Sequence, residues 1–230
     1  MKLFCFIFAR GGSKGLPNKN IIDFGGMPLI CHSINLAKEI NFIDKVVVSS
    51  DSEDILSIAR DRGAQIIKRP PELSSDEAPE WLAWRHAIEL IKQKEEFDLF
   101  LSLPPTAPLR SKTDISNCLS SLDDETDIVI TVTPSSRSPY FNMVEIGEDA
   151  KSKLVIKSEK FSRRQDVPAT FDITTAAYLT RPEFIMSKSS IFEGNVKSVI
   201  IPKERAVDID DEFDLMLARK LLSEKNNDKE

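Results

Sequence analysis

Apolar residues along this chain fall into short unbroken runs that alternate with stretches at helical spacing. Leu3 to Ala9 is continuously apolar, a glycine-rich turn follows, and Ile30, Ile34 and Ala37 then recur at helical intervals. This predicts strand, loop, helix. Val46 to Val48 leads through Ser49-Ser50-Asp51 into the helical set Ile55, Ile58, Ala59, with Gly63 as a stop before Gln65-Ile66-Ile67. Trp81, Trp84, Ile88 and Ile91 lie on one face of a helix entered near Pro79, and read as core positions. Phe97 to Leu103 predicts a buried strand, Ile115 to Leu122 a helix, and Asp127 to Thr133 a strand rich in β-branched residues. Such alternation predicts an α/β fold with a doubly wound, mostly parallel sheet and right-handed crossovers.

The pattern breaks between Pro134 and Phe171. Helical periodicity disappears there, and Lys151 to Arg164 carries six Lys or Arg against one Glu. This predicts an arm over 134–171 with a basic edge, protruding from a single domain that spans 1–230. Ile173 to Thr180 and Val196 to Ile201 read as further strands, Phe213 to Leu222 as a closing helix, and Asn226 to Glu230 as a frayed tail.

At 230 residues, 41% hydrophobic and 30% charged, the chain has ordinary globular composition and needs no disulfide or metal for stability. Thirty-one Lys and Arg against 37 Asp and Glu leave a net charge of -6, which disfavours nucleic acid and anionic membranes as partners. The longest apolar runs reach about seven residues, against roughly 20 for a membrane span, so a cytoplasmic protein is expected. Cys5, Cys31 and Cys118 lack the spacing of a zinc site and read as packing thiols. His32 and His86 show no metal spacing either.

Ligands of open parallel sheets sit beyond the carboxyl ends of the strands, so the loops there carry the chemistry. The first loop, Ala9-Arg10-Gly11-Gly12-Ser13-Lys14-Gly15-Leu16-Pro17-Asn18-Lys19-Asn20, combines three glycines with three cations, and no acid precedes Asp23. By backbone and by charge it is a candidate phosphate cradle. It matches neither the GxxxxGK[ST] loop nor the GxGxxG dinucleotide fingerprint. A second constellation, Asp208-Ile209-Asp210-Asp211-Glu212 with Asp214, precedes the last helix. Acids there complement a helix dipole, and that accounts for part of the cluster. In an extended Asp-x-Asp, however, Asp208 and Asp210 share one face and suit a hard cation such as Mg2+. Both readings stand on spacing alone. Arg69-Pro70-Pro71-Glu72-Leu73 and Leu103-Pro104-Pro105-Thr106-Ala107-Pro108-Leu109-Arg110 are rigid polar loops, either pocket walls or simple punctuation. Arg163-Arg164-Gln165 is a solvated basic face or a carboxylate clamp.

Taken in order, the first loop, Ser49 to Asp51, Arg69 to Leu73, Pro105 to Arg110, Arg163-Arg164-Gln165 and Asp208-Ile209-Asp210 resemble the motifs of acylneuraminate cytidylyltransferases, the synthetases of CMP-sialic acid and related nonulosonic acids. The resemblance covers nearly the whole chain. It implies transfer of CMP from CTP to the anomeric hydroxyl of a nine-carbon 2-keto sugar acid, with Mg2+ as cofactor and pyrophosphate released. It places Arg10, Lys14 and Lys19 on the triphosphate, with Ala9, Gly11, Gly12 and Ser13 in the cradle. Asn20, Arg69 and Ala78 fall to ribose and cytosine, and Asp208 and Asp210 to the metal and to deprotonation of the attacking hydroxyl. Catalysis then rests on Arg10, Lys14, Lys19, Asp208 and Asp210. It further implies a homodimer in which the arm carries Arg163, Arg164 and Gln165 to the neighbouring sugar site, with Pro104, Thr106 and Tyr178 also on the sugar.

The chain departs from the family on the sugar side. Pro104 stands where the sialic acid enzymes usually carry Gln, Thr174-Thr175-Ala176-Ala177 stands where Asn-Gly-Ala often precedes the Tyr, and Glu80 aligns with a Ser. The expected acceptor is therefore a nonulosonic acid other than N-acetylneuraminate itself. An eight-carbon octulosonate acceptor and a catalytically silent nucleotide-sugar binder are the alternatives. Retention of Lys14, Lys19, Asp208 and Asp210 together argues against the silent binder.

Overall fold

The uninterrupted apolar run at the amino terminus forms a strand whose six residues are all buried, as a strand covered on both faces must be. A computed structural model describes residues 1–13, 15–157 and 163–227. In chain order the elements are β1 (Leu3–Phe8), a small hairpin β2 (Asp23–Phe24) and β3 (Met27–Pro28), α1 (Leu29–Lys38), β4 (Lys45–Ser50), α2 (Glu53–Asp61), β5 (Gln65–Lys68), α3 (Glu80–Lys92), β6 (Leu99–Ser102) and α4 (Lys112–Ser121). There follow β7 (Ile128–Pro134), β8 (Val144–Ile146), β9 (Ser152–Leu154), β10 (Phe171–Thr180), α5 (Pro182–Ser187), β11 (Val196–Ile200) and α6 (Glu212–Asn227).

Seven strands form one sheet in the order β11-β7-β10-β6-β1-β4-β5. Every pairing is parallel except those of β10, which runs antiparallel between β6 and β7. Alternate side chains of β1 divide the core. Leu3, Cys5 and Ile7 pack with α1, α2 and α4 on one face. Phe4, Phe6 and Phe8 meet α3 and Ile185 of α5 on the other, where Phe6 stacks on Phe100 with ring centroids 4.7 Å apart. The doubly wound, mostly parallel fold expected from the alternation is therefore present.

A third apolar cluster lies beside the main sheet and decides how the loops meet. Leu16 of the first loop, Leu109 of the 103–110 loop and Ile209 between the two aspartates are all buried together with Leu215 and Ala218 of α6. Ile209 N also donates to the Thr106 carbonyl at 2.8 Å. Further support comes from Asp114, which caps α4 with Ser111 and accepts two hydrogen bonds, of 2.9 and 3.0 Å, from the Arg205 guanidinium.

Four details differ from the sequence reading. Within the arm β8 and β9 pair as a hairpin that was not specified, and β10 starts at Phe171, two residues before the expected Ile173. Helix α5 was not anticipated, because its six residues are too few to show a period. Helix α4 begins at Lys112, earlier than its apolar spacing indicates, because the Ser111 cap sets its start. Helix α6 continues to Asn227, into the stretch expected to fray, and 228–230 lie outside the described residues.

Ile209 is fully buried, so Ile209→Ala should lower unfolding free energy by about 2–5 kcal/mol. Urea unfolding followed by circular dichroism checks this, and an unchanged midpoint would show that the cluster does not hold the loops.

Candidate active site

A cleft of about 370 Å³ opens beyond the carboxyl ends of the strands. Arg10, Lys19, Asn20, Arg69, Ala78, Pro104, Thr106, Asp208 and Asp210 all line it. These residues come from four loops far apart in sequence. The Asp-x-Asp geometry explains the last two: Ile209 points into the apolar cluster, so its neighbours on either side face the cleft.

Charge in the cleft is paired across loops. Lys19 Nζ lies 2.7 Å from Asp210 Oδ1 and Arg10 lies 2.5 Å from Asp76. Arg69 is buried and donates through Nε to Ser74 Oγ at 2.9 Å, with Asp51 4.0 Å from its guanidinium. Burial lowers the Arg69 pKa, while Asp51 and Glu80 oppose that shift. Asn20 is buried and its amide donates to the Arg10 carbonyl at 3.0 Å, which fixes the first loop. Asp208 Oδ1 is buried without a hydrogen-bond partner. Among the described residues no three His, Cys, Asp or Glu side chains converge as a metal cluster. The oxygen-only pair Asp208 and Asp210, with one oxygen unpaired, nevertheless fits Mg2+, which keeps several waters and takes its other ligands from phosphate.

Two of the three glycines in the first loop serve packing. A Cβ on Gly15 would stand 2.4 Å from the Asp210 carbonyl oxygen, and one on Gly11 2.9 Å from Ser52 Cβ. Gly11 N donates to Asp51 at 2.9 Å and Ala9 N to the Ser49 carbonyl at 3.1 Å. Ala9, Gly11, Gly12 and Ser13 thus border the cleft without lining it. Lys14 and the side chain of Arg164 lie outside the described residues. Arg163 and Gln165 are exposed on the arm, apart from the cleft of their own chain, and Arg163 pairs with Asp166 at 3.0 Å. Tyr178 opens onto an adjoining recess, and burial, reinforced by Glu80 and Asp208, pushes its pKa up to about 12.

Sequence reasoning missed three contributors. Asp51 and Asp76 hold cations of the cleft, Arg69 at 4.0 Å and Arg10 at 2.5 Å, and neither pairing follows from a local spacing rule. Thr175 lines the cleft with a buried, unpartnered hydroxyl. It is placed there by a bulge: between Thr174 opposite Thr131 and Tyr178 opposite Ile130, β10 takes four steps against one on β7. Thr131 Oγ1 accepts from Ala177 N at 3.0 Å inside the bulge. Arg110, also buried, donates to the Ala176 carbonyl at 2.6 Å and to Ser33 Oγ and the Pro104 carbonyl. Burial lowers its pKa to about 10. Arg110 thereby ties the bulge to the Pro104 wall. The packing reading of the thiols agrees with the structure: all three are buried, and desolvation pushes Cys5 and Cys118 up to about 12.

Comparison with known proteins agrees with this geometry. The sequence pattern of the family described as cytidylyltransferase matches residues 4–226. The chain belongs to the cytidylyltransferase family. It is 36% identical over 231 residues to post-translational flagellin modification protein B of Campylobacter coli, covering 98% of this chain and 97% of that one. It is 33% identical to CMP-N,N'-diacetyllegionaminic acid synthase of Campylobacter jejuni, with the same coverage. In fold it is similar to a CMP:2-keto-3-deoxy-manno-octonic acid synthetase solved with CTP, at a TM-score of 0.73 and 17% identity, covering 98% of this chain and 100% of that one. As a cytidylyltransferase the chain is a nucleotidyltransferase, and the resemblance read from its motifs holds.

Two outcomes follow from the geometry. Gly15→Ala must displace the Asp210 backbone, and turnover should fall about a hundredfold while thermal unfolding moves little; parallel kinetics and melting curves check this. Glu80 is exposed by surface area, yet the protein packed around its carboxyl desolvates it and raises its pKa above the ordinary 4.5, against the lowering effects of Trp84 and Arg69. Below pH 4.5 both folded and unfolded states hold the proton, so nothing is lost; as pH climbs toward the raised value the unfolded state ionises first and the fold is disfavoured. Glu80→Gln should therefore be more stable than the parent at pH 8, with the gap closing toward pH 4 in melting curves across that range.

Proposed function

We propose that this chain transfers CMP from CTP to the anomeric hydroxyl of a nonulosonic 2-keto sugar acid and releases pyrophosphate, with Mg2+ as cofactor. The observation that carries the reading is the juxtaposition of Lys19 and Arg10 with an Asp208 and Asp210 pair whose Oδ1 on Asp208 is buried and unpartnered. The near full-length likeness to a CMP-diacetyllegionaminic acid synthase supports the substrate class.

The acceptor hydroxyl oxygen attacks the α-phosphorus, the bond from that phosphorus to the bridging oxygen breaks, and pyrophosphate leaves with the electron pair. Negative charge grows on the phosphoryl oxygens and on the departing group, so the cations Arg10, Lys14 and Lys19 would lower the barrier by neutralising it. Asn20, Arg69 and Ala78 hold the nucleoside end. Asp208 and Asp210 would bind Mg2+, which supplies positive charge to the leaving pyrophosphate when bound. Asp208, with its unpaired oxygen, is placed to take the proton of the attacking hydroxyl. Thr106, Pro104 and Tyr178 border the space left for the sugar.

The arm completes the reading as the contact between two copies of the chain. Phe141, Met143, Val144, Ile146, Val155 and Ile156 on the arm are exposed apolar side chains, a surface suited to a partner. In that homodimer Arg163, Arg164 and Gln165 approach the neighbouring sugar site. Cytoplasmic residence belongs to the same reading, and among the described residues no helix is long and apolar enough to cross a membrane.

Pyrophosphate release from CTP and Mg2+, run against nine-carbon and eight-carbon 2-keto sugar acids, tests the proposal. Release with a nine-carbon acid is expected, and Asp208→Asn and Asp210→Asn should each lower it by about a hundredfold or more. Release confined to eight-carbon acids would overturn the acceptor class. Parent-like turnover in both variants would overturn the metal assignment, and CTP binding without release for any acid would mark a silent binder.

A further inference from the structure

A second cavity, of about 340 Å³, adjoins the cleft and shares one residue with it, Glu80. Apart from Ser190, its other walls are aromatic and aliphatic, with Trp81, Trp84, Tyr178 and Phe192 foremost. The rings form a connected set: Trp81 and Trp84 centroids are 5.3 Å apart, and Trp84 and Tyr178 5.6 Å. Helical spacing alone makes both tryptophans core residues. In the structure Trp84 is buried, whereas Trp81 is only half-buried and turns toward this recess.

The indole edges of both tryptophans are already engaged. The Trp81 indole N–H is shared between the Ile185 carbonyl at 3.0 Å and the Lys188 carbonyl at 2.6 Å, and that of Trp84 donates to Glu80 Oε1 at 3.2 Å. What remains for a ligand is ring surface, the hydroxyl-bearing Tyr178 and Ser190, and one carboxyl group. Among the described residues Glu80 has no ion-pair partner within 4 Å, because Arg69 is turned to Ser74 and Asp51. Phe192, a large aromatic that lines the recess, is 69% exposed.

Several aromatic rings around one carboxyl group are the chemistry that selects organic cations: ring quadrupoles attract positive charge, and the carboxylate supplies the counter-ion. A neutral acyl group would find the rings adequate and would leave Glu80 desolvated for nothing. We infer that the recess is a subsite for a cationic nitrogen, an ammonium or amidinium substituent, on the acceptor sugar acid, with Glu80 as its counter-ion. The inference rests on the proposed cytidylyl transfer only for the identity of the molecule that carries the cation.

Pairs of nine-carbon 2-keto sugar acids, identical except that one nitrogen is a free ammonium in the first and N-acetylated in the second, provide the test. Each is titrated in the presence of CTP by tryptophan fluorescence, which reads Trp81 and Trp84 directly, and each is assayed for pyrophosphate release. The ammonium acid should bind about tenfold tighter and show a correspondingly higher kcat/KM. In Glu80→Gln the ratio should fall to near one, and in Phe192→Ala, a change at an exposed side chain, it should fall severalfold. Equal or tighter binding of the acetylated acid, or a ratio unmoved by Glu80→Gln, would overturn the inference. So would a tenfold rise in the KM for CTP in Glu80→Gln with the acid ratio intact, since Glu80 would then serve the nucleotide. Selective binding without pyrophosphate release would uphold the subsite and count against cytidylyl transfer instead.

Discussion

Burial of three aliphatic side chains, Leu16, Leu109 and Ile209, is the constraint on which the cleft depends. Each belongs to a different loop, and each loop carries polar groups that have no reason of their own to meet. Placing the three in one dry cluster against α6 brings the basic loop, the proline-rich loop and the aspartate pair within reach of one another. Burying such side chains is worth roughly 1.5–3 kcal/mol each. The close approach of Gly15 to the Asp210 carbonyl shows how tightly the outer loops are then pressed together.

That packing sets the electrostatics. In a chain of net charge -6, Arg10 and Lys19 of the first loop and Arg69 of another are brought together at one end of the sheet. Each is held by an acid, from Asp76, Asp210 and Asp51, so the free cleft carries paired rather than naked charge. In the proposed reaction a triphosphate would exchange partners with these acids and free them for a divalent cation. The arrangement is thus suited to bringing metal and phosphate together in one site.

The antiparallel strand β10 accounts for the other wall. Inserted between β6 and β7, it reverses direction and brings its bulge to the same end of the sheet as the parallel strand ends. Arg110, sequestered from water, spans the gap between the bulge and Pro104. It does not line the cleft itself, and its place in a conspicuous motif reflects support of the wall. The same strand carries Tyr178 to the aromatic recess, so one element borders both the candidate transfer site and the candidate cation subsite.

The sequence by itself determined the α/β class and the strand and helix alternation, and it singled out the glycine-rich loop whose Arg10, Lys19 and Asn20 line the cleft, because burial on both faces of a parallel strand and the charge of such a loop are local properties. It also determined that Asp208 and Asp210 share a face, since a residue between them must point the other way. Only the tertiary structure decided what those groups meet. Pairing of Asp51 with Gly11, of Asp76 with Arg10 and of Asp210 with Lys19 spans up to 191 positions, and no spacing rule carries that far. The bulge that exposes Thr175 arises from a register mismatch between two strands, and the recess around Glu80 from rings drawn from α3, β10 and the segment before β11. Contacts of that kind are set by how the layers pack, which local pattern does not encode.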